Sequence, residues 1–324
     1  MAEPITLAAA LNRALADALD EDPTVLVMGE DVGRLGGVFR ITDGLHAKHG
    51  DARVVDTPLS ESGIIGTAIG LAMRGYRPVC EIQFDGFVFP AFDQITTQLA
   101  KYHARSEGQI RLPVTIRIPY GGGIGAVEHH SESPEAYFAH TPGLRIVTCS
   151  HARDGYQMLR QAIACDDPVI FLEPKRRYWD RAEPGEVSEG LFEARVVRAG
   201  TDATLVCYGP MVRTCLEAAG LAEEEDGLSL EVIDLRSLSP LDLGPVFDSV
   251  HRTGRCVVVH EAPVFAGLGA EIAARVSVEC FYDLEAPVLR VGAPYAPYPP
   301  SKLEHYYLPD VDRILDAVDT VRGM

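Results

Sequence analysis

Short β-rich apolar runs alternate with stretches of helical spacing along nearly all of this 324-residue chain, and that alternation restricts its fold more than any other feature. A strand followed by a helix of crossover length returns beside its parallel neighbour, so repeated units build a largely parallel sheet covered by helices. Residues 7–19 have helical spacing and 25–28 form a buried-strand run ending in Gly29-Glu30-Asp31. Strands are then expected at 77–84, 114–118, 144–148 and 169–172, with helices at 62–73, 91–105 and 152–164. From 174 to 200 the chain turns charged and contains a Pro184-Gly185 turn, as a linker would. A second alternation follows, with strands at 204–208, 228–235, 256–260 and 287–291 and helices at 211–222, 268–278 and 311–321. The expected class is α/β: two domains, each a largely parallel sheet flanked by helices, one over 1–190 and one over 191–324.

Composition excludes several classes. Apolar residues make up 47% of the chain, enough for a sizeable core, yet no run is long enough to span a bilayer. The N-terminal Met1-Ala2-Glu3-Pro4 has neither the basic nor the apolar region of a secretory signal. Seven scattered cysteines without a C-x-x-C read as reduced thiols, and the expected location is the cytoplasm, a mature organellar form being the alternative. A net charge of −18 argues against nucleic acid or an anionic membrane as partner. The charge is uneven: residues 201–324 carry 20 Asp and Glu against 9 Lys and Arg, so this part is the candidate surface for a basic partner, unless the acids serve solubility alone.

Three segments carry chemistry. In Asp56-Thr57-Pro58-Leu59-Ser60-Glu61-Ser62-Gly63, Glu61 enters a helix rich in small residues; read locally, it is a first-turn acid favoured by the helix dipole. In Cys80–Gln94, a strand gives way to a turn with three phenylalanines; Phe89 and Phe92 read as core, whereas Phe87 follows Gly86 in the turn and could cover a planar ring. Gly121-Gly122-Gly123-Ile124-Gly125 lacks the spacing of a phosphate-binding loop. The following His129, His130 and Glu132 lack further ligands at metal-site spacing, so proton transfer suits a histidine here better than metal binding.

Taken in order, these stretches resemble one family. Gly29-Glu30-Asp31-Val32, Gly36-Gly37-Val38-Phe39-Arg40, Thr57-Pro58-Leu59-Ser60-Glu61, Glu81-Ile82-Gln83-Phe84, Phe89-Pro90-Ala91-Phe92-Asp93-Gln94, His130-Ser131-Glu132-Ser133-Pro134-Glu135-Ala136, Pro168 to Lys175 and the tail Tyr298 to Pro309 are similar to the β subunits of 2-oxoacid dehydrogenase E1 components. These are a two-chain version of the transketolase-like thiamine diphosphate enzymes. The resemblance implies a pyrimidine-binding domain and a transketolase C-terminal domain. It implies that Glu61 hydrogen-bonds N1′ of the cofactor's aminopyrimidine, favouring the tautomer whose 4′-imino group removes the thiazolium C2 proton. It places Leu59, Gln83 and Phe87 in the pyrimidine pocket, Phe87 standing where branched-chain relatives commonly have tyrosine. It assigns His130 to proton delivery during acyl transfer to the lipoyl arm of the E2 core, His140 being a weaker candidate.

The same resemblance implies a monovalent cation, K+, on backbone groups of Leu112, Val114, Thr115, Ala162, Cys165 and Asp167, although Cys165 stands where the relatives have aspartate. A Gly-Asp-Gly followed by the matching Asn, which grips Mg2+ and the diphosphate in single-chain members, is missing from the sequence. Both are therefore expected from an α subunit in an α2β2 heterotetramer, with the active site between the chains. Branched-chain 2-oxoacids are the expected substrates, pyruvate or acetoin dehydrogenase being the near alternative. A non-catalytic scaffold is a reading of another class, against which intact Glu61 and His130 motifs count. A split transketolase acting on sugar phosphates would call for a cationic pocket; the only local cluster, Lys175-Arg176-Arg177, reads as linker surface.

Overall fold

The computed structural model describes residues 3–183 and 187–324, so the expected Pro184-Gly185 turn lies outside the described residues. A two-stranded ribbon pairs β1 (Ile5–Thr6) with β8 (Arg181–Ala182). Between them run α1 (Leu7–Glu21), β2 (Val25–Gly29), α2 (Leu45–His49), β3 (Val54–Asp56), α3 (Glu61–Met73), β4 (Arg77–Glu81), α4 (Tyr102–Arg105), β5 (Thr115–Tyr120), α5 (Glu135–Ala139), β6 (Arg145–Thr148), α6 (Ala152–Ala164) and β7 (Val169–Pro174). The second half comprises β9 (Arg195–Arg198), β10 (Ala203–Cys207), α7 (Met211–Asp226), β11 (Leu230–Asp234), β12 (Ser237–Ser239), α8 (Gly244–Thr253), β13 (Cys256–Pro263), α9 (Leu268–Glu279), β14 (Leu289–Ala293), α10 (Glu304–Tyr307) and α11 (Val311–Gly323).

Two mostly parallel sheets result, as the alternation predicts. The first has seven strands in the order β12-β6-β7-β5-β4-β2-β3, antiparallel only at β12. The second has five in the order β14-β13-β10-β11-β9, antiparallel only at β9. β2, β5 and β7 are buried along their whole length, as parallel strands with helices on both faces must be. We propose that the domains divide near residue 190, between β8 and β9. The division is not clean in space: β12 belongs to the later half by sequence but forms the edge of the first sheet. Fully buried Arg236 secures this crossing, donating to the carbonyls of Gly190 (3.0 Å) and Glu193 (2.7 Å). One apolar cluster joins Ile116, Tyr120 and Phe138 of the first domain to Val206, Tyr208 and Val258 of the second.

The expected helix over 91–105 is a broken segment. It starts as a 3-10 turn over Asp85–Ala91 containing Pro90, widens into a π turn over Gln94–Leu99 and ends in α4. The Thr96 and Thr97 hydroxyls donate to the carbonyls four residues back, Phe92 (2.8 Å) and Asp93 (2.7 Å), a pattern that bends helices.

Candidate active-site face

In open α/β sheets, ligands bind beyond the carboxyl ends of the strands, and the sequence candidates gather there. Glu30 follows β2, Leu59 and Glu61 follow β3, Gln83 and Phe87 follow β4, and His130 follows β5. Glu61 is the first residue of α3, partly buried, its carboxylate in the field of the helix N-terminus. Leu59 is 73% exposed and Pro58, Ser60 and Gly63 are exposed beside it, so this face is open. The Thr57 N–H donates to the Gly29 carbonyl (2.9 Å) and the Gln83 amide to the Glu30 carbonyl (3.3 Å), tying three strand ends together. Burial pushes the Glu30 carboxyl up, and the charges of Asp31 and Glu61 push it further.

Phe84, Phe87 and His130 form an aromatic corner. The His130 ring meets Phe84 edge-on at 4.2 Å between centroids and Phe87 at 5.1 Å. Its Nδ1 is buried without a hydrogen-bond partner. Burial, then neighbouring His129 and Lys175, lower its proton affinity, and Glu128 opposes them. His129 and His140 are exposed.

The supporting charges lie beneath this corner, and the sequence reading had not found them. Arg117, fully buried in β5, donates Nη1 to Glu81 (2.7 Å) and grips Glu173 with Nε (2.7 Å) and Nη2 (2.9 Å). The Tyr178 hydroxyl also donates to Glu173 (2.7 Å). An arginine amid Thr115-Ile116-Arg117-Ile118 was the available signal, because a charge within an apolar strand must be paired. The expectation that Lys175-Arg176-Arg177 lies on a linker surface is corrected: Lys175 is buried against Asp85. Arg176 reaches Glu261 (3.1 Å) and Arg177 the Pro210 carbonyl (2.9 Å), so the cluster joins the domains: its lysine is held in the first and its two arginines find acceptors in the second.

The glycine-rich loop is no phosphate cradle. Glu261 accepts from Gly122 N (2.5 Å), and Glu304 accepts from Gly123 N (2.7 Å) and Gly125 N (3.2 Å). Carboxylates of the second domain already occupy the donors a phosphate would need.

The monovalent cation expected on Leu112, Val114, Thr115, Ala162, Cys165 and Asp167 would compete there with donors of the chain itself. The Leu112 and Val114 carbonyls accept from Val114 N (2.8 Å) and Val169 N (2.9 Å), and the Ala162 carbonyl from the Thr115 hydroxyl (3.2 Å). Arg77 places Nη1 on the carbonyls of Ile163 (3.2 Å) and Cys165 (3.1 Å) and Nη2 on Asp166 (2.7 Å). Asp167 is held by Arg145 (2.8 Å). A guanidinium thus supplies positive charge at the C-terminal end of α6, where the helix dipole favours it, and two arginines beside the carbonyls repel a further cation. Replacing KCl with choline chloride at constant ionic strength should leave the thermal midpoint unchanged within about 1 °C, where loss of a bound ligand would lower it. A K+-specific rise would restore the cation to this loop.

The face carries groups of the kind an aminopyrimidine of thiamine diphosphate needs: a partly buried carboxylate at a helix start, an aromatic wall, and an unpartnered buried histidine nitrogen.

Comparison with known proteins agrees with this architecture. Residues 3–179 match the transketolase pyrimidine-binding domain and residues 193–314 the transketolase C-terminal domain. A pyruvate dehydrogenase E1 component subunit beta from Leifsonia xyli is 60% identical over 98% of this chain and 94% of its own. A 3-methyl-2-oxobutanoate dehydrogenase subunit beta from Mycobacterium tuberculosis is 54% identical over 98% and 92%. A solved chain described as a split gene transketolase, inactive beta4 tetramer, superposes with a TM-score of 0.80 over 98% of both chains; at 24% identity it speaks to the fold alone.

Proposed function

Because the chain belongs to the E1 β subunits of 2-oxoacid dehydrogenases, oxidoreductases built on transketolase-like domains, we propose that it forms one side of a thiamine diphosphate site completed by an α subunit in an α2β2 heterotetramer. The observation that carries this is the convergence of Glu61, Gln83, Phe84, Phe87 and His130 on one open face at the carboxyl ends of β3, β4 and β5. The cofactor supplies, when bound, a nucleophilic carbon and an electron sink for loss of carbon dioxide. Glu61 holds the proton at N1′ of the aminopyrimidine. Phe87 covers the ring without offering a hydroxyl, Leu59 adds apolar contact, and Gln83 is oriented by its bond to the Glu30 carbonyl. His130, its Nδ1 buried without a partner and its ring held by Phe84 and Phe87, delivers a proton during acyl transfer to the lipoyl arm of E2. We assign Mg2+ and the diphosphate to the α subunit, and the complex to the cytoplasm. No helix among the described residues is long and apolar enough to cross a membrane.

For substrate we propose branched-chain 2-oxoacids, the reading on which the M. tuberculosis relative bears. Pyruvate is the second reading, favoured by the name of the L. xyli relative. Assay of the reconstituted α/β pair decides: kcat/KM at least tenfold higher for 2-oxoisovalerate supports the first reading, and the reverse preference establishes pyruvate. Docking of E2 on the acidic second domain is part of the proposal. Asp283 accepts from His251 (2.8 Å) and Glu285 pairs with Arg255 (2.5 Å), so these two are engaged within the chain. Exposed Glu279, beside exposed Val278, Phe281 and Tyr282, is the better contact.

A further inference from the structure

We propose that the buried Asp85–Lys175 ion pair is a positioning device for His130, pinning the turn after β4 to the loop that carries the histidine. The inference rests on the reading of His130 given above. Asp85 opens the 3-10 turn that follows β4, and Lys175 is the first residue after β7. Both side chains are 0% exposed. The two carboxylate oxygens point to different elements: Oδ1 is bonded to Lys175 Nζ, and Oδ2 accepts from Glu132 N at 2.8 Å. Lys175 Nζ also lies 3.4 Å from the Pro119 carbonyl of β5 and 5.6 Å from the centre of the Phe84 ring. One carboxylate therefore joins the ends of β4 and β7 to the histidine loop two residues beyond His130.

Contact around this joint leaves little slack. A Cβ on Gly86 would lie 2.4 Å from the His129 carbonyl oxygen, so the turn and the loop touch backbone to backbone. With that contact fixed, Phe84 and Phe87 hold the His130 ring edge-on from two sides. Isolating two charges from water costs more than their attraction commonly returns, so stability alone is a poor reason for this pair, whereas fixed directions from one carboxylate are what a proton donor requires. Burial pushes the Asp85 carboxyl up and the Lys175 ammonium down, each opposed by its partner. The charged groups around His130 are His129 and Glu128 on its own turn, Glu132 beyond it, Asp85 after β4 and Lys175 after β7.

The test is the titration of His130 in the full chain, followed by histidine ring NMR and assigned with His130→Gln, together with the pH profile of acyl transfer by the α/β complex. Lys175→Met removes a repelling cation and should raise the His130 midpoint. Asp85→Asn leaves that cation unopposed and should lower it. Lys175→Arg should restore the wild-type value. A merely structural pair would move both midpoints the same way or neither, and either result overturns the proposal. Where a single variant fails to fold, the double variant Asp85→Asn/Lys175→Met buries no net charge. It should fold and lose at least tenfold in kcat for acyl transfer with KM little changed; wild-type kcat would overturn the proposal. Opposite NMR shifts with wild-type kcat in the double variant would show that the pair's charge reaches the ring without positioning it and would overturn the proposal, whereas wild-type kcat in His130→Gln would instead remove His130 from proton delivery.

Discussion

Glu61→Gln in the reconstituted α/β complex is expected to lower decarboxylation by about a thousandfold, roughly 4 kcal/mol in the barrier, while leaving assembly intact. The carboxylate stands at the first position of α3, partly buried on the open face and in the field of the helix N-terminus. Glutamine keeps its size but loses the charge that stabilises a proton on N1′. Core packing should not respond, because α3 is anchored from its other side by Ile64, Ile65, Ala68, Ile69 and Ala72. Decarboxylation read with an artificial electron acceptor, beside gel filtration of the complex, measures both quantities. A variant within tenfold of wild type would reduce Glu61 to a first-turn acid that serves the helix alone.

Arg117→Met carries the largest expected loss of stability, about 3–5 kcal/mol, because it leaves two buried carboxylates without their cation. Burial pushes the Glu81 carboxyl up, Arg117 pulls it down, and Glu173 raises it again, so the arginine is the cation that keeps both acids tolerable in one place, with the Tyr178 hydroxyl a neutral donor to Glu173. A fall of roughly 10 °C in the thermal midpoint is the corresponding observable. Glu81 ends β4 two residues before Gln83, so loosening should also weaken cofactor binding by the complex. Adding Glu173→Gln to Arg117→Met should recover part of the midpoint. A drop below about 2 °C in the single variant would mean that the two carboxyls share a proton and do not need the arginine.

Much of the frame was legible because apolar periodicity is a local property. The runs at 25–28, 169–172 and 204–208 read as strands buried on both faces, the last one residue out of step with β10, and 152–164 as a helix with one apolar stripe. What escaped depended on distant partners. Lys175 looks like surface charge beside Arg176 and Arg177, and only the fold brings Asp85 to it across 90 positions. β12 is too short to announce itself, and its partner β6 lies in the other domain. α8 was hidden by its opening Gly244-Pro245, although proline in the first turn is a helix-start signal. For the site, Glu61, Gln83, Phe87 and His130 were found through resemblance to a family. Their positions at the ends of neighbouring strands supply the physical reason that resemblance lacked. For the cation loop the carryover could not anticipate Arg77, which donates to the Cys165 carbonyl and so competes for it.

The central claim is that this chain provides only one side of the active site. Decarboxylation of 2-oxoisovalerate and of pyruvate with an artificial acceptor, thiamine diphosphate and Mg2+, measured for this chain alone, for the α subunit alone and for the mixture, tests it most directly. The account predicts turnover only in the mixture, with either isolated chain at background. Turnover by this chain alone would contradict it, since the diphosphate and metal would then have to be held by residues that the proposed site leaves to the α subunit.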